Sequence, residues 1–359
     1  MSKLILSVEQ IDFNSLLNRQ PITVDNQEVK DYLTNRVVCI TGGCGSIGSE
    51  IVRQLLNLGI DHLIIYDNSE CGTFNLKYEI DEKYCGHHVK FYIGDVTDQK
   101  RLSEVLHRHM PNIIFHAAAY KHVPIMEENA YESIKVNIIG TKNVADGALE
   151  CNVEKFVMIS TDKAVNPTNI MGVSKRISEL YVNYLNQFKK TQYITTRFGN
   201  VLGSSGSVIP TFIKRINRGQ NLQITDREII RYFMTIPEAA QLVIHATILC
   251  ESSDILLFDM GQPVKIYDLA QTLLDTYAPN SGLTINIIGL RPGEKLYEEL
   301  LCDGENVIPT KNKFIMKLKH KQIIAEDFLQ KYSQLIKCEP LTLKNLKIQL
   351  KDLVPEYRI

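Results

Sequence analysis

The sequence predicts an α/β protein in which a doubly wound parallel sheet carries a smaller C-terminal lobe. Three observations support this fold class. Short β-branched runs alternate with amphipathic helical stretches from Arg36 to Arg197, a glycine-rich turn follows the first run, and the alternation stops after Asn200. Strands that alternate with helices in this way pair in parallel, with helices covering both faces of the sheet.

The sequence pattern predicts the helices and strands of the sheet domain and of the lobe. Apolar residues at helical spacing predict helices such as SEIVRQLLNLG and TDQKRLSEVLHRH. After Asn200, Gly- and Ser-rich loops, short helices and the isolated strands LQIT, ILLFDM and LTINIIG predict a lobe over the carboxyl edge of the sheet. We therefore divide the chain into a lead-in at 1–35, the sheet domain at 36–200, and mainly lobe and tail at 201–359. The predicted strands of the sheet are VVCIT, HLIIYD, VKFYIGD, IIFHAAA, KFVMIST and YITTRF.

The composition favours a cytoplasmic protein without nucleic-acid or membrane partners. The 359 residues include 40 Lys+Arg and 41 Asp+Glu, so the net charge of −1 gives no general attraction for polyanions. No segment approaches the ~18 apolar residues of a membrane span, and the start of the chain lacks the zones of a signal peptide. The 8 cysteines are scattered without a C-x-x-C pair, which favours reduced thiols over disulfides or a metal site.

The turn TGGCGSIGSE lies between the first predicted strand and the helix that follows. Gly42, Gly45 and Gly48 are spaced G-x-x-G-x-x-G, and Ser46 and Ile47 begin the helix. Glycine permits the tight turn and lets the backbone approach a pyrophosphate, whose charge the helix dipole favours. This context predicts a Rossmann-type dinucleotide site.

Other strand ends carry residues suited to the same ligand. Asp67 ends the second strand, where a carboxylate accepts hydrogen bonds from ribose hydroxyls and repels a 2′-phosphate. The sequence therefore predicts NAD rather than NADP as the cofactor. The remaining candidates at the cofactor are Asn68 and Ser69 after the second strand, Asp95 and Val96 after the third, and Ala117, Ala118 and Ala119 after the fourth.

A cluster of chemically active side chains follows the fifth predicted strand. Thr161, Asp162 and Lys163 come first, and Met171 and Lys175 lie one helical turn apart on the next helix. The layout repeats the Thr and Tyr-x-x-x-Lys site of short-chain dehydrogenases/reductases, except that Met171 replaces the Tyr. A thioether cannot carry a proton at a useful pH. An adjacent carboxylate and amine instead suit an elimination, where one group removes a proton and the other protonates a leaving hydroxyl.

Longer segments strengthen this interpretation. The sequence is similar to the UDP-N-acetylglucosamine 4,6-dehydratases of bacterial polysaccharide and glycan biosynthesis, which are extended short-chain dehydrogenases/reductases. The similarity runs from about Leu16 to Leu301, and members that keep the configuration at carbon 5 often carry Met in place of Tyr. The lead-in LLNRQPITVD resembles the linker between the membrane-embedded and catalytic halves of long members, so a naturally short enzyme and a shortened chain both stay open. The segments that carry the resemblance are TGGCGSIGSEIVRQL, FHAAAYKHVPIMEENAYESIKVNIIGT, STDKAVNPTNIMGVSKRISE, TRFGNVLGSSGSVIP and RPGEKLYEELL.

The resemblance implies the chemistry and the roles of the cluster. A hydride passes from carbon 4 of the sugar to NAD, a proton leaves carbon 5, water leaves carbon 6, and the hydride returns to carbon 6. Lys163 is implied as the base at carbon 5 and Asp162 as the acid for the leaving hydroxyl. Thr161 is implied to bind the 4-hydroxyl, and Lys175 to orient the nicotinamide ribose. Asp162, or Lys175 through a water, are both candidates for removing the proton of the 4-hydroxyl.

The nucleotide end of the substrate is predicted from the later segments. Asn200 and a Gly/Ser loop that enters a helix near Val208 suit a diphosphate. Arg231 and Arg291 resemble the family's diphosphate-binding arginines, and Glu294 matches the residue that meets the uridine ribose. Lys121 and His122 are further candidates for substrate contact. His116 and His122 are not expected to bind metal, since no second His or Cys stands at ligand spacing.

Three rival functions stay open at this point. An enzyme of the same fold could invert carbon 5 during dehydration or act as a nucleotide-sugar 4-epimerase, although an epimerase has no need for the Asp162 and Lys163 pair. A non-catalytic NAD-binding scaffold is suggested only by the missing Tyr. We also expect a homo-oligomer.

Overall fold

The structure is a computed structural model. It describes residues 6–17, 19–60, 62–84, 86–249, 254–302, 305–319, 327–337 and 342–359. Its strands are β1 Val38–Thr41, β2 Leu63–Asp67, β3 Val89–Ile93, β4 Ile113–His116, β5 Lys155–Ile159, β6 Gln192–Arg197, β7 Asn200–Val201, β8 Leu222–Ile224, β9 Ile230–Arg231, β10 Phe233–Met234, β11 Asp254–Phe258, β12 Val264–Lys265, β13 Ile285–Ile287, β14 Asn306–Pro309 and β15 Ile315–Lys319.

A large sheet forms the centre of the molecule. Within the described residues it has nine strands in the order β14-β15-β11-β6-β5-β4-β1-β2-β3. The seven strands β11, β6, β5, β4, β1, β2 and β3 pair in parallel, in that spatial order. At the β11 edge, β15 and then β14 continue the sheet in antiparallel pairing. The predicted α/β class and all six predicted strands of the sheet are therefore confirmed. The order of the strands reverses between β1 and β4, and ligands of such sheets bind at that point.

The sheet draws strands from both sides of the boundary predicted at residue 200. Strands β11, β14 and β15 come later in the chain and extend the sheet beyond β6. The segment ILLFDM was predicted as a strand of the lobe, but it pairs with β6 in parallel. Apolar character indicates that a segment forms a strand, but it does not indicate which strand becomes its partner.

Helices cover both faces of the sheet. Buried residues alternate between the two faces along each strand: in β1, Cys39 joins one core, while Val38 and Ile40 join the other. The α-helices are α1 Phe13–Leu17, α2 Gln27–Leu33, α3 Ser46–Asn57, α4 Glu70–Lys83, α5 Gln99–His109, α6 Val123–Glu128, α7 Ala130–Ser133, α8 Thr141–Glu150, α9 Ile170–Leu185, α10 Val208–Asn217, α11 Ile236–Leu249, α12 Ile266–Tyr277, α13 Phe328–Lys337 and α14 Leu343–Leu353.

The lead-in packs against the body of the protein. Ile11 belongs to a third core, shared with α10 and α12 of the lobe, and Ile22 belongs to the core beneath α3 and α11. The guanidinium of Arg19 binds both carboxylate oxygens of Glu238 at 2.8 and 2.9 Å. Glu238 also accepts the backbone N–H groups of Ile22 and Thr235, both at 2.8 Å. The polar composition of the lead-in gave no sign of this attachment.

Candidate active site

A cleft of ≈ 510 Å³ opens at the carboxyl edge of the sheet, where the order of the strands reverses. The turns after β1, β4 and β5, the start of α9 and the loop before α10 line it. The predicted site residues that line the cleft are Gly42, Gly45, Ser46, Ile47, Gly48, Ala117, Ala119, Lys121, His122, Thr161, Lys163, Met171, Lys175 and Asn200. The predicted site residues outside this lining are Asp67, Asn68, Ser69, Asp95, Val96, Ala118, Asp162, Val208, Arg231, Arg291 and Glu294.

The glycine-rich turn leaves no room for a side chain at Gly42 or at Gly48. Gly42 has a φ of +68°, and a Cβ there would lie 2.5 Å from the backbone N of Ala118. A Cβ on Gly48 would lie 2.1 Å from the carbonyl oxygen of Gly42. Helix α3 begins directly after Gly45, and no side chain caps its first turn. The N–H groups of that turn are therefore available to an anion in the cleft.

Carboxylates at the ends of β2 and β3 lie beside this turn. Asp67 accepts the backbone N–H groups of Cys44 and Ser69, each at 2.9 Å, and so joins the glycine-rich turn to the end of β2. Asp95 accepts from Asn68 Nδ2 at 3.1 Å and from the N–H of Thr97 at 2.8 Å. Asp67, Asn68 and Asp95 thus form a polar edge that continues from the cleft.

The three residues after β5 form one hydrogen-bonded unit. Asp162 Oδ1 accepts from Thr161 Oγ1 at 2.8 Å and from Lys163 Nζ at 3.0 Å. Asp162 is fully buried, and its Oδ2 has no hydrogen-bond partner among the described residues. Asp162 is not among the residues that line the cleft, whereas its neighbours Thr161 and Lys163 both line it. This position was not foreseen from the sequence, which only placed the three residues next to each other.

Lys163 is surrounded by further polar groups. Its Nζ donates to Asn200 Oδ1 at 3.4 Å and lies 3.6 Å from Glu298 Oε1. Burial lowers the pKa of Lys163, but the carboxylates of Asp162 and Glu298 raise it by more, so the pKa lies above its ordinary value. Glu298 was missed in the sequence, although it follows the RPGEK motif from which Glu294 was selected.

Met171 and Lys175 enter the cleft from the start of α9, as their spacing predicts. Asn169 caps this helix by accepting the N–H of Gly172 at 2.7 Å. Met171 is 3% exposed and Lys175 is 4% exposed, and both line the cleft. Burial lowers the pKa of Lys175 to about 8, against the opposing effect of Glu179. Lys175 can therefore exchange a proton near neutral pH, whereas Met171 cannot.

A buried ion pair supports the site from behind. Arg197 donates to Glu179 from Nε at 2.9 Å and from Nη2 at 2.6 Å, and both side chains are 0% exposed. Ser160, directly before Thr161, donates to Glu179 Oε1 at 2.6 Å. Burial raises the pKa of Glu179, but Arg197 lowers it by more, to about 2. The sequence signal for this pair was an arginine inside the apolar strand YITTRF, which requires a buried partner.

The Gly/Ser loop closes the other side of the cleft. Asn200 Nδ2 and Ser207 Oγ are buried without a hydrogen-bond partner in the described part of the chain, and both residues line the cleft. Helix α10 begins at Val208, as predicted, directly after Ser207. The N–H of Ser205 donates to Ser46 Oγ at 3.1 Å, so the loop touches the first residue of α3. Unpaired polar atoms beside a helix N-terminus suit an anionic ligand.

The structure brings Arg231 and Glu294 together, with 3.7 Å between Nη2 and Oε1. The Arg231 guanidinium donates to the carbonyl oxygens of Ile230, Lys295 and Leu296 and so braces the RPGEK turn. Glu294 accepts from Thr225 Oγ1 at 3.1 Å and from the N–H of Arg291 at 3.2 Å. Their contacts to a diphosphate and a uridine ribose stay predictions.

His116 lies in the core, where its ring contacts two threonines. In the described ranges, no group of three His, Cys, Asp or Glu side chains lies close enough to hold a metal ion. The ring of His116 contacts Thr41 Oγ1 at 2.7 Å and Thr141 Oγ1 at 2.9 Å, and burial lowers its pKa to about 3. It is a neutral core residue.

Two further features concern the predictions made from the composition, namely the membrane spans and the cysteines. None of the helices in the described ranges combines the length and apolar character of a membrane span. The described cysteines Cys39, Cys44, Cys71, Cys151 and Cys302 are free thiols, while Cys85, Cys250 and Cys338 lie outside the described residues.

Comparison with known proteins relates the chain to several sugar-nucleotide enzymes. It is 45% identical over 303 residues to the capsular polysaccharide biosynthesis protein CapD of Staphylococcus aureus, a match that covers 83% of this chain and 50% of CapD. The chain thus spans about half the length of that relative. It is 38% identical to a UDP-N-acetylglucosamine 4,6-dehydratase (inverting) of Campylobacter jejuni, over 75% of this chain and 78% of that protein. It is 37% identical to a UDP-glucose 4-epimerase of Rickettsia rickettsii, over 76% of this chain and 79% of that protein.

A solved structure and a family profile agree with these relatives. The structure of Pen from Bacillus thuringiensis superposes with a TM-score of 0.75 at 30% identity, covering 81% of this chain and 88% of Pen. The profile of the polysaccharide biosynthesis protein family matches residues 38–320, a range that includes both the glycine-rich turn and Thr161, Asp162 and Lys163. The chain therefore belongs to the polysaccharide biosynthesis protein family.

Proposed function

We propose that this protein is an NAD-dependent UDP-N-acetylglucosamine 4,6-dehydratase that retains the configuration at carbon 5. The observation that carries the proposal is the Asp162–Lys163 pair, hydrogen-bonded at 3.0 Å, with Lys163 lining the same cleft as Met171, which cannot ionise. A simple dehydrogenation or epimerisation at carbon 4 requires one acid/base group, whereas elimination of water requires two.

The residues of the cleft fit a dinucleotide. The crowded positions of Gly42 and Gly48 form a cradle that any Cβ would fill, and the first turn of α3 offers free N–H groups to a pyrophosphate. Asp67 at the end of β2 suits the ribose hydroxyls and favours NAD over NADP. When bound, NAD would supply the acceptor for the hydride of carbon 4 and return that hydride to carbon 6.

The proton steps follow from the pair and from Lys175. The ion pair is the resting form, because the carboxylates of Asp162 and Glu298 raise the pKa of Lys163 above its ordinary value. A proton that crosses the 3.0 Å contact from Lys163 to Asp162 turns the pair into a neutral amine and a neutral acid. Lys163 then takes the proton of carbon 5 and, after exchange with the solvent, gives a proton back to carbon 5. Asp162 gives its proton to the leaving 6-hydroxyl through Thr161 Oγ1, because the carboxyl itself does not reach the cleft. The 4-hydroxyl gives its proton to Lys175 through a water, and that proton afterwards resets the pair.

The choice of Lys175 as acceptor rests on its proton affinity. Burial lowers the pKa of Lys175 to about 8, so roughly a tenth of the amine is neutral at pH 7. Asp162 is the weaker candidate for this step because it supplies the proton that leaves with the 6-hydroxyl. The unpaired Asn200 Nδ2 and Ser207 Oγ would donate to the sugar-nucleotide, the latter near its diphosphate.

One experiment tests the proposal against its rivals. The protein is incubated with UDP-N-acetylglucosamine in deuterated water and the product is followed by proton NMR. We expect a new 6-methyl group, deuterium at carbon 5 and an unchanged configuration there. Inversion at carbon 5 would identify the rival dehydratase, as in the Campylobacter jejuni relative. A product epimeric at carbon 4 with its 6-hydroxyl intact would identify an epimerase, and absence of any product would favour a scaffold.

A further inference from the structure

A buried carboxylate lies between the catalytic lysine and the nucleotide end of the site. The side chain of Glu298 is 4% exposed, and its Oε1 lies 3.6 Å from Lys163 Nζ and 3.7 Å from Arg231 Nε. Its Oε2 has no hydrogen-bond partner among the described residues. Burying a carboxylate in this way is costly unless opposite charges offset it, and here two cations do so. The reaction proposed above gives this residue no task.

The segment that carries Glu298 is fixed to the loop between Lys163 and Met171. Thr168 Oγ1 and Asn169 Nδ2 both donate to the carbonyl oxygen of Gly293 at 3.0 Å. Lys295 Nζ donates to the carbonyl oxygen of Val165, also at 3.0 Å. These hydrogen bonds hold the RPGEK turn against the catalytic loop. The distance between Glu298 and Lys163 is therefore set by the fold and not by flexible surface side chains.

We propose that Glu298 is a positioning residue that holds the Lys163 amine at the cleft wall and controls when that amine can accept a proton. This inference rests on the proposed function, in which Lys163 is the base at carbon 5. Because Arg231 shares the same carboxylate and braces the RPGEK turn, Glu298 also joins the predicted nucleotide site to the acid/base pair. A nucleotide that shifts Arg231 would change the charge that Lys163 experiences.

The charges around Lys163 give the direction of the effect. The groups that face its amine are Asp162 on its own turn, Glu298 and Arg231 from the lobe, and the neutral amide of Asn200. Burial lowers the pKa of Lys163, the two carboxylates raise it, and Arg231 opposes them. Removing the charge of Glu298 leaves Asp162 as the remaining carboxylate among the described neighbours. The amine then loses its proton at a lower pH.

The first test is the pH dependence of turnover with UDP-N-acetylglucosamine. In Glu298→Gln we expect the alkaline limb, where the Asp162–Lys163 pair loses the proton that Lys163 holds, to move to lower pH by about one unit or more, while the plateau falls because the amine is less well held. Glu298→Asp keeps the charge, so its limb should lie closer to that of the wild type. The matched control is Glu299→Gln, because Glu299 binds Lys295 at 2.8 Å on the same segment but does not contact Lys163. Its limb should stay in place. A fall in turnover with an unmoved limb in Glu298→Gln would overturn the inference.

The second test does not depend on the substrate. Protein labelled with ¹³C at the lysine Cε is titrated by NMR, and the Lys163 signal is assigned from its loss in Lys163→Ala. We expect a lower titration midpoint for Lys163 in Glu298→Gln than in the wild type or Glu299→Gln. Equal midpoints would refute the role of Glu298, even if the protein acts on another sugar-nucleotide. Failure of the proposed function would instead appear as absence of a dehydrated product from the wild type, with the shift of the midpoint intact.

Discussion

Glu179→Gln tests whether the buried ion pair of Arg197 and Glu179 stabilises the fold next to the cleft. The substitution keeps the size of the side chain and removes its charge. Arg197 would then be fully buried with one remaining carboxylate, Glu305, at 3.3 Å. Ser160, which directly precedes Thr161, would donate to a neutral amide oxygen instead of the Glu179 carboxylate.

Two arguments give the expected loss in the free energy of unfolding. The pKa of Glu179 is lowered from 4.5 to about 2, and each unit corresponds to about 1.4 kcal/mol, so the charged form contributes ~3 kcal/mol to the free energy of unfolding. Removing one partner of a buried pair typically costs about 3 to 5 kcal/mol. Because the folded-state pKa is lowered, this contribution is fully present above pH 4.5 and is lost as the pH falls towards 2.

The assay is urea unfolding followed by circular dichroism at pH 7, where we expect the variant to lose ~3 kcal/mol. Glu356→Gln is the matched control. Glu356 accepts from Arg176 Nε at 2.9 Å, but its side chain is 30% exposed, so the loss should stay below about 1 kcal/mol. A loss below about 1 kcal/mol for Glu179→Gln as well would show that Arg197 finds another partner and that the reasoning about this pair is wrong.

Three further predictions concern the chemistry. Lys163→Ala should abolish dehydration while leaving nucleotide-sugar binding largely intact. Losing a general base typically costs ~10²-fold or more in rate, so turnover above about a tenth of wild type would show that Lys163 is not the base. Met171→Leu should change stability by less than ~1.5 kcal/mol and lower activity only mildly, and Met171→Tyr should bring no gain. A large rise in steady-state turnover for Met171→Tyr, or collapse of a folded Met171→Leu, would give this position a direct role. The purified protein should carry NAD(H), because Asp67 repels a 2′-phosphate, and mass spectrometry that finds mainly NADP(H) would contradict this.

The part of the site predicted from the sequence is the part encoded locally. Strands buried on both faces are continuous apolar runs, and a glycine-rich turn between a strand and a helix fixes where a phosphate binds. The spacing of Met171 and Lys175 predicted their common face because helical geometry alone decides it. These features need no information about distant parts of the chain.

The remaining features depend on contacts between segments far apart in sequence. The fragment RPGEKLYEELL offers several carboxylates, and only the packing of the lobe decides that Glu298, rather than Glu294, reaches Lys163. Asp162 stands beside Thr161 in the sequence, yet the turn at Phe198 and Gly199 covers it, so that it is separated from the cleft. The pairing of β11 with β6 has the same origin, since a strand's own residues do not name its neighbour.

The hydrogen bonds between Arg19 and Glu238 show that the folded unit includes residues on the N-terminal side of the boundary predicted at residue 35. Cleavage after residue 24 would leave Glu238 with the N–H of Thr235 as a donor and without the three hydrogen bonds from Arg19 and Ile22. That carboxylate lies on α11, the helix that packs on α3. Removal of the lead-in would therefore weaken the support of α3, the helix that begins directly after the glycine-rich turn.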